Sequence, residues 1–326
     1  MAELVTKESL TPLIVIAGPT AVGKTDLSIQ LAKQIGGEIV NGDSLQVYRN
    51  LTIGTGKITH KEMQGVPHHL LDILDVEEPF DAARFKSMAQ KVIKDIDSRG
   101  KVPILVGGTG LYLEGLIKNL SFGGPTSQDL DYRHMLEKLV EEKGSHYLWE
   151  QLNQVDPKAA ANIPYQNIRR TIRALEVIHV TGNLFSEQTN HHSQKSKYDT
   201  LIFILDRPRS ELYDRINLRV EQMVSRGLEQ EAWNLYNQSK GQHWQSIKGI
   251  GYKEWWPYFQ NHDLSIDQVI ETIQQNSRRY AKRQLTWFRN RLDHTYWLDA
   301  SDETTLYKRA NEITQQFLQE RRVIDD

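Results

Sequence analysis

The spacing of apolar segments predicts an α/β fold: a parallel sheet flanked by helices, with an all-helical insertion. Three observations carry this. Short apolar runs at residues 13–17, 38–40, 102–106 and 201–205 read as strands buried on both faces. Helix-period segments at 25–34 and 82–98 alternate with the first three runs, the pattern of parallel strand–helix–strand crossovers. About ninety residues of polar, helix-period sequence then separate the third run from the fourth.

The first run feeds a glycine-bounded turn and the 25–34 helix, and the third ends in a second glycine-rich turn. The insertion opens on the breaker cluster Ser121-Phe122-Gly123-Gly124-Pro125-Thr126. It continues as helices at 129–143, 146–155 and 167–180 and closes in a loose stretch at 190–198. After the fourth strand the pattern is helical at 210–238, 266–291 and 304–321. These boundaries divide the chain into a first core part (1–122), a helical insertion (123–198) and a second core part (199–326).

Composition narrows the functional classes. The 326 residues contain no cysteine, which excludes thiolate nucleophiles, disulfides and cysteine-based zinc sites. Forty basic residues against 42 acidic ones leave a formal charge of −2, so any nucleic-acid contact must come from local basic surface. The segment before the first strand carries Glu3, Lys7 and Glu8 and lacks the pattern of a signal peptide. No apolar run approaches a membrane span. A cytoplasmic enzyme is the expectation.

The sharpest motif is Gly18-Pro19-Thr20-Ala21-Val22-Gly23-Lys24-Thr25, which has G-x-x-x-x-G-K-T spacing between a strand and a helix. Backbone N–H groups of such a loop cradle a di- or triphosphate at the positive end of the helix. Lys24 reaches the terminal phosphates and the Thr25 hydroxyl sits on Mg²⁺. A P-loop NTPase-like core follows, although the motif does not say which polyphosphate binds. The second strand runs into Asp43, which lies beyond a strand's carboxyl end as ligand-binding residues of open sheets do. Its carboxylate suits a metal contact or a general base, and equally a turn or helix cap.

Other segments leave two readings open. Gly107-Gly108-Thr109-Gly110 fits either close ligand approach or tight strand–helix packing. Residues 51–57, Leu-Thr-Ile-Gly-Thr-Gly-Lys, fit a phosphate cover or a flexible surface loop. His68 and His69 are adjacent, which does not suit joint metal ligation, and read as structural. Arg215 and Arg219 share a helical face, with Glu211 placed to bridge Arg215. Arg169, Arg170 and Arg173 form one basic cluster. Arg278, Arg279, Lys282, Arg283 and Arg289, interleaved with Tyr280 and Trp287, form another, as nucleic-acid surfaces or merely solvated faces do.

Together these segments resemble the tRNA dimethylallyltransferase family. The resemblance runs in order through the phosphate loop, Asp43-Ser44-Leu45-Gln46-Val47-Tyr48-Arg49, Val66-Pro67-His68-His69-Leu70-Leu71-Asp72 and Gly107-Gly108-Thr109-Gly110-Leu111-Tyr112. It continues through Arg173-Ala174-Leu175-Glu176-Val177, Arg215-Ile216-Asn217-Leu218-Arg219-Val220 and Lys282-Arg283-Gln284-Leu285-Thr286-Trp287. It implies Mg²⁺-dependent transfer of a dimethylallyl group from dimethylallyl diphosphate to the exocyclic amine of the adenosine 3′ of the anticodon, in tRNAs reading U-starting codons. The loop at 18–25 then holds the donor diphosphate rather than ATP, and Asp43 is the base. Lys24, Thr25 and either Arg215 or Arg219 serve the diphosphate and metal. Ser44, Leu45, Gln46 and Thr109 contact the target adenosine region. Arg133, Gln166, Asn167, Arg169, Arg170, Arg173, Lys282 and Arg283 hold the anticodon stem-loop of a tRNA bound by a monomer.

Leu45 departs from the family's usual arginine, and Ile163-Pro164-Tyr165-Gln166-Asn167 departs from its usual Ile-His-Pro-Asn-Asn/Asp. The alternatives weighed are an ATP-dependent kinase, a nucleotide switch and a non-catalytic RNA-binding protein. For the switch, the sequence lacks an N-K-x-D motif.

Overall fold

The computed structural model describes residues 10–120, 122, 129–188, 196–242, 244–261 and 264–325. Residues 1–9, most of the 121–126 breaker cluster and the loose stretch up to Lys195 lie outside the described residues.

Among the described residues six strands form one sheet: β1 (Thr11–Ala17), β2 (Glu38–Asn41), β3 (His68–His69), β4 (Pro103–Gly107), β5 (Tyr198–Asp206) and β6 (Thr295–Asp299). Their order is β3-β2-β4-β1-β5-β6 and every neighbouring pair is parallel. Register brings the carboxyl ends level: Ala17 pairs with Gly107 on one side and Ile204 on the other, and Asn41 pairs with Val106. The loops that follow β1, β2, β4 and β5 therefore open along one edge of the sheet, where ligands of open α/β sheets bind.

The helices are α1 (Lys24–Ile35), α2 (His60–Met63), α3 (Ala82–Ser98), α4 (Gly110–Ile117), α5 (Leu130–Val155), α6 (Pro157–Ala161), α7 (Ile168–Thr181), α8 (Phe185–Gln188), α9 (Arg209–Ser225), α10 (Leu228–Ser239), α11 (Trp256–Asn261), α12 (Ile266–Arg291) and α13 (Glu303–Asp325). Local chemistry sets their ends. The Asp81 side chain caps α3, Asn167 caps α7, and Ser265 with Gln268 closes a capping box on α12. On α3 the buried residues Phe85, Ala89, Ile93 and Ile96 recur at helical spacing and face the core.

The chain divides into two compact units, one running to Ile117 and resuming at Ser196, the other spanning Lys118–Lys195. In the first, Ile14, Ile16 and Phe203 of the sheet pack with Leu27 and Leu31 of α1 and with Leu306, Ala310 and Ile313 of α13. The second has its own core of Leu136, Leu148, Leu152, Ile163, Ile172 and Leu175. Tyr198 already pairs with Thr11 in the sheet.

Four differences from the sequence reading have physical causes. β3 is two residues long and too short to show a pattern. β6 is the sheet's far edge and leaves Tyr296 and Trp297 exposed, so it never reads as a buried run. The expected 210–238 helix breaks after Ser225, because Gly227 takes a left-handed conformation (φ 99°) to start α10. α4 is apolar nearly all round and opens on glycine, which hid it inside a loop motif. In the other direction, the expected break between helices 129–143 and 146–155 falls at Gly144, whose φ of 84° kinks α5.

Candidate active site

The loop between β1 and α1 gathers positive φ angles at Gly18 (155°), Ala21 (64°) and Gly23 (108°). A Cβ on Gly18 would sit 2.8 Å from the Leu205 carbonyl oxygen. Gly23 caps α1 without any side-chain hydrogen bond, which leaves first-turn N–H groups for a ligand. Two arginines occupy the loop's carbonyls: Arg215 Nε donates to Ala21 O (2.9 Å) and Arg207 Nε to Val22 O (3.0 Å). In a trans peptide the N–H points opposite its carbonyl. Engaging these two oxygens therefore turns the N–H groups of Val22 and Gly23 the other way.

Of Arg215 and Arg219, Arg215 is the one hydrogen-bonded to the loop. Arg215 is committed to Ala21, and its expected bridge to Glu211 does not form. Glu211 instead pairs with Arg207 and accepts from Ser301 Oγ at 2.9 Å. Arg207 was absent from the sequence reading; its place just past the end of β5 was the available signal. Arg219 makes no hydrogen bond or ion pair among the described residues, and a Cβ on Gly56 would lie 1.7 Å from its Nη2. Burial draws its pKa below the ordinary arginine range, while Asp43 opposes that shift.

Lys24 donates from Nζ to Gly18 O (3.0 Å) and Pro19 O (2.7 Å). Burial, reinforced by the Arg219 charge and opposed by Asp43, pushes its ammonium down to about 7. The site therefore holds two cations that disfavour each other and favour an anion between them.

Asp43 divides its carboxylate. Oδ1 accepts from Leu45 N (2.8 Å) and Gln46 N (3.2 Å), forming the turn. Oδ2 makes no hydrogen bond among the described residues. The turn reading and the chemical reading thus use different oxygens. Ser44, Gln46 and Leu45 follow it; Gln46 Nε2 donates to Thr55 O (3.2 Å), and Leu45 packs toward Gly249.

The second glycine turn is a packing device. A Cβ on Gly107 would meet Gly42 O at 2.5 Å, one on Gly108 would meet Gln284 Nε2 at 2.2 Å, and one on Gly110 would meet Trp287 Cδ1 at 2.4 Å. Gln284 ties the two glycine turns together, since its Nε2 donates to Gly108 O (2.9 Å) and its Oε1 accepts from Thr20 N (3.1 Å). Trp287 packs against Gly110. Thr109 lies in this turn near Tyr280, whose hydroxyl is pushed up to about 12 by burial and by the Asp43 charge. The sequence reading gives Gln284 no role, and it reads Tyr280 only as an aromatic interleaved in the basic stripe of α12.

These groups surround one crevice of about 790 Å³. It is lined by the phosphate loop, Asp43, Ser44, Gln46, Gly108, Arg215, Arg219, Tyr280, Arg283 and Gln284, and by the apolar side chains of Ile39, Ile58, Leu71, Ile216, Met223 and Ile250. A polyphosphate head and a short hydrocarbon tail both find complementary walls in it. No group of three or more His, Cys, Asp or Glu among the described residues is arranged to hold a metal. Magnesium bridging phosphate oxygens keeps several waters and needs only one or two protein oxygens. The Thr25 hydroxyl, exposed at the head of α1 and without a hydrogen bond among the described residues, fits that demand.

His68 lines the crevice, with Nδ1 2.8 Å from Val66 O. His69 Nε2 lies 2.8 Å from Glu38, a carboxylate that its Arg99 partner and then His69 hold down to about 2. On α12, Arg278 donates to Asn217 and Arg289 to Asp206, so both are engaged within the protein. Lys282 and Arg283 stay exposed.

In the helical unit, Arg133 (2.6 Å) and Arg173 (3.7 Å) reach the buried carboxylate of Glu176. Asn167 accepts from Arg170 N as the cap of α7. Gln166, Arg169 and Arg170 are exposed.

Comparison with known proteins adds an independent line. The family model described as IPP transferase matches residues 46–291, a stretch that begins after the phosphate loop and Asp43. A tRNA dimethylallyltransferase of Limosilactobacillus reuteri (strain DSM 20016) is 52% identical over 292 residues, covering 89% of this chain and 93% of that protein. One from Anoxybacillus flavithermus is 48% identical over 301 residues, covering 92% and 94%. Among solved structures, the full-length tRNA isopentenylpyrophosphate transferase of Bacillus halodurans is similar with a TM-score of 0.71 at 44% identity, covering 96% of this chain and 99% of that one. A eukaryotic dimethylallyltransferase described as acting on tRNA is similar with a TM-score of 0.82 at 32% identity, covering 95% and 80%.

Proposed function

The chain belongs to the tRNA dimethylallyltransferase family, the IPP transferases, and from that premise we propose that its crevice joins the dimethylallyl group of dimethylallyl diphosphate to the exocyclic amine of a tRNA adenosine. The observation that carries this is one hollow holding a diphosphate cradle, an apolar wall and a carboxylate with a free oxygen. Kinase chemistry on the same loop, the strongest rival from sequence, finds no support among the relatives' names.

In the proposed reaction the adenine amine attacks C1 of the dimethylallyl group. The C1–O bond breaks and its electron pair leaves with diphosphate. The proton lost from the amine goes to Asp43 Oδ2. Charge gathers on diphosphate oxygens as they depart, where the N–H groups of residues 22–25, Lys24 and Arg219 meet it. Bound Mg²⁺, held by the Thr25 hydroxyl and the diphosphate itself, would add to the neutralisation of that charge.

The acceptor is the adenosine 3′ of the anticodon in tRNAs reading U-starting codons, which must leave its stack to enter the crevice. Ser44, Gln46 and Thr109 would meet it there; Lys282 and Arg283, with Gln166, Arg169 and Arg170 of the helical unit, would hold the stem-loop. Arg133 and Arg173 would serve the RNA while anchored on Glu176. No helix among the described residues is long and apolar enough to cross a membrane. We place the enzyme in the cytoplasm, acting as a monomer.

Dimethylallyl diphosphate with Mg²⁺ is expected to raise the thermal unfolding midpoint, and equal ATP to leave it unchanged. The protection should weaken as pH rises from about 7 to about 9. Free Lys24 loses its proton above about 7, and the bound anion must restore it. Protection by ATP alone would contradict the donor assignment.

Arg169→Ala with Arg170→Ala is expected to weaken tRNA binding and to lower the slope of log K against log salt by about one to two. Filter binding across a salt series checks this. An unchanged slope removes α7 from the RNA interface.

A further inference from the structure

Residues 51–57 read in the sequence as a cover or a flexible loop, and the structure pins them at one point. Glu231, in the first turn of α10, accepts three successive backbone N–H groups: Thr52 and Ile53 on Oε2 and Gly54 on Oε1, each at 2.9 Å. Tyr252 Oη donates to Oε1 at 2.7 Å. Burial, helped by the Glu231 charge, keeps that phenol protonated and so a donor. Glu231 is far from the loop in sequence, and no spacing rule pairs them.

The pinned loop is packed on both sides. A Cβ on Gly54 would lie 2.6 Å from Tyr252 Cζ and 2.9 Å from Leu228 Cδ1. Two residues on, Gly56 lies directly against the Arg219 guanidinium, and Thr55 O receives Gln46 Nε2. Arg219 has no hydrogen bond of its own among the described residues, so packing against Gly56 sets where it points. A long side chain placed in advance loses less freedom when its anion binds.

We propose that Glu231 is a positioning residue: by gathering the N–H groups of residues 52–54, it holds Gly56 against Arg219 and aims that guanidinium at the donor diphosphate. This rests on the reading above that Arg219 meets the diphosphate. A carboxylate does this where an amide cannot. Glutamine supplies one acceptor oxygen, and its NH₂ would face at least one of the loop's N–H groups.

The test is calorimetric titration of the full chain with dimethylallyl diphosphate and Mg²⁺, together with steady-state kinetics. Glu231→Gln is expected to raise the donor Kd and KM about tenfold, the cost of disrupting charge-assisted hydrogen bonds, with tRNA affinity unchanged. In an Arg219→Ala background the same change should add almost nothing, because the route through Arg219 is already lost. Gly56→Ala removes none of the groups in Glu231's four bonds but puts a methyl where the guanidinium lies, with the added strain of a side chain at φ 56°. It should reproduce the donor defect, and it carries the test if Glu231→Gln fails to fold. A full-sized loss from Glu231→Gln in the Arg219→Ala background, or normal donor affinity in both folded single variants, overturns the proposal while the diphosphate reading stands. Normal donor affinity and turnover in Arg219→Ala overturns the diphosphate reading of Arg219, and the proposal with it.

Discussion

Asp43→Asn is expected to lower kcat by about 10²- to 10⁴-fold, the usual contribution of one general base. Dissociation constants for donor and tRNA should stay close to wild type. The substitution is informative because the two oxygens of Asp43 do different work. Asparagine keeps an acceptor for Leu45 N and Gln46 N, so the turn that places Ser44 and Gln46 survives. It removes the basic oxygen. Asp43→Ala removes the turn acceptor as well, and should add a tRNA-binding defect to the same loss of turnover. Single-turnover label transfer with saturating substrates separates the two. Near-normal rates in Asp43→Asn would sink the base assignment and leave Asp43 as a turn residue.

Arg219→Ala should cost about 10²- to 10³-fold in kcat, the scale seen when one preorganised donor to a developing oxyanion is deleted. Arg219→Lys should recover only part, since a point charge on a flexible stem does not reproduce a fixed guanidinium. A second readout distinguishes lost charge from lost structure. The Arg219 cation helps hold Lys24 down at about 7. Its removal relieves that repulsion, so Lys24 titrates higher and the alkaline fall in donor affinity moves to higher pH. A pH profile of donor binding that does not move would place Arg219 outside the electrostatics of the loop. Arg215, four residues earlier, should behave differently, because its Nε is tied to Ala21 O. Its loss should act by loosening the loop.

The parts of the fold that were legible in sequence are those whose residues announce their surroundings. Four buried parallel strands read directly, because both faces of each are apolar. The capped amphipathic helices α3 and α12 read to the residue. The phosphate loop was legible because its glycines, lysine and threonine are each fixed by a backbone or charge requirement at constant spacing. Edge strand β6 and the nearly all-apolar α4 were not, since neither carries the period on which such readings depend.

Within the site, Lys24, Thr25 and Asp43 stood out because they lie next to strand ends. The residues that hold them did not. Arg207 reaches Val22, Gln284 joins the two glycine turns, and Glu231 pins residues 52–54, all across more than 170 positions of chain. Long-range hydrogen bonds of this kind leave no local pattern. The glycines at 107, 108 and 110 show the converse: the pattern was plain, but its cause is packing against Gly42, Gln284 and Trp287.

One measurement bears most directly on the central claim, that the amino-terminal glycine loop holds an isoprenoid diphosphate while a tRNA adenine takes its hydrocarbon. The purified chain is incubated with Mg²⁺, dimethylallyl diphosphate labelled in the hydrocarbon, and an unmodified anticodon stem-loop. Label should pass to the RNA with release of one equivalent of diphosphate, and a stem-loop with guanosine in place of the target adenosine should receive none. Label that stays on the donor with the adenosine substrate, while ATP is consumed by the same preparation, would contradict the account.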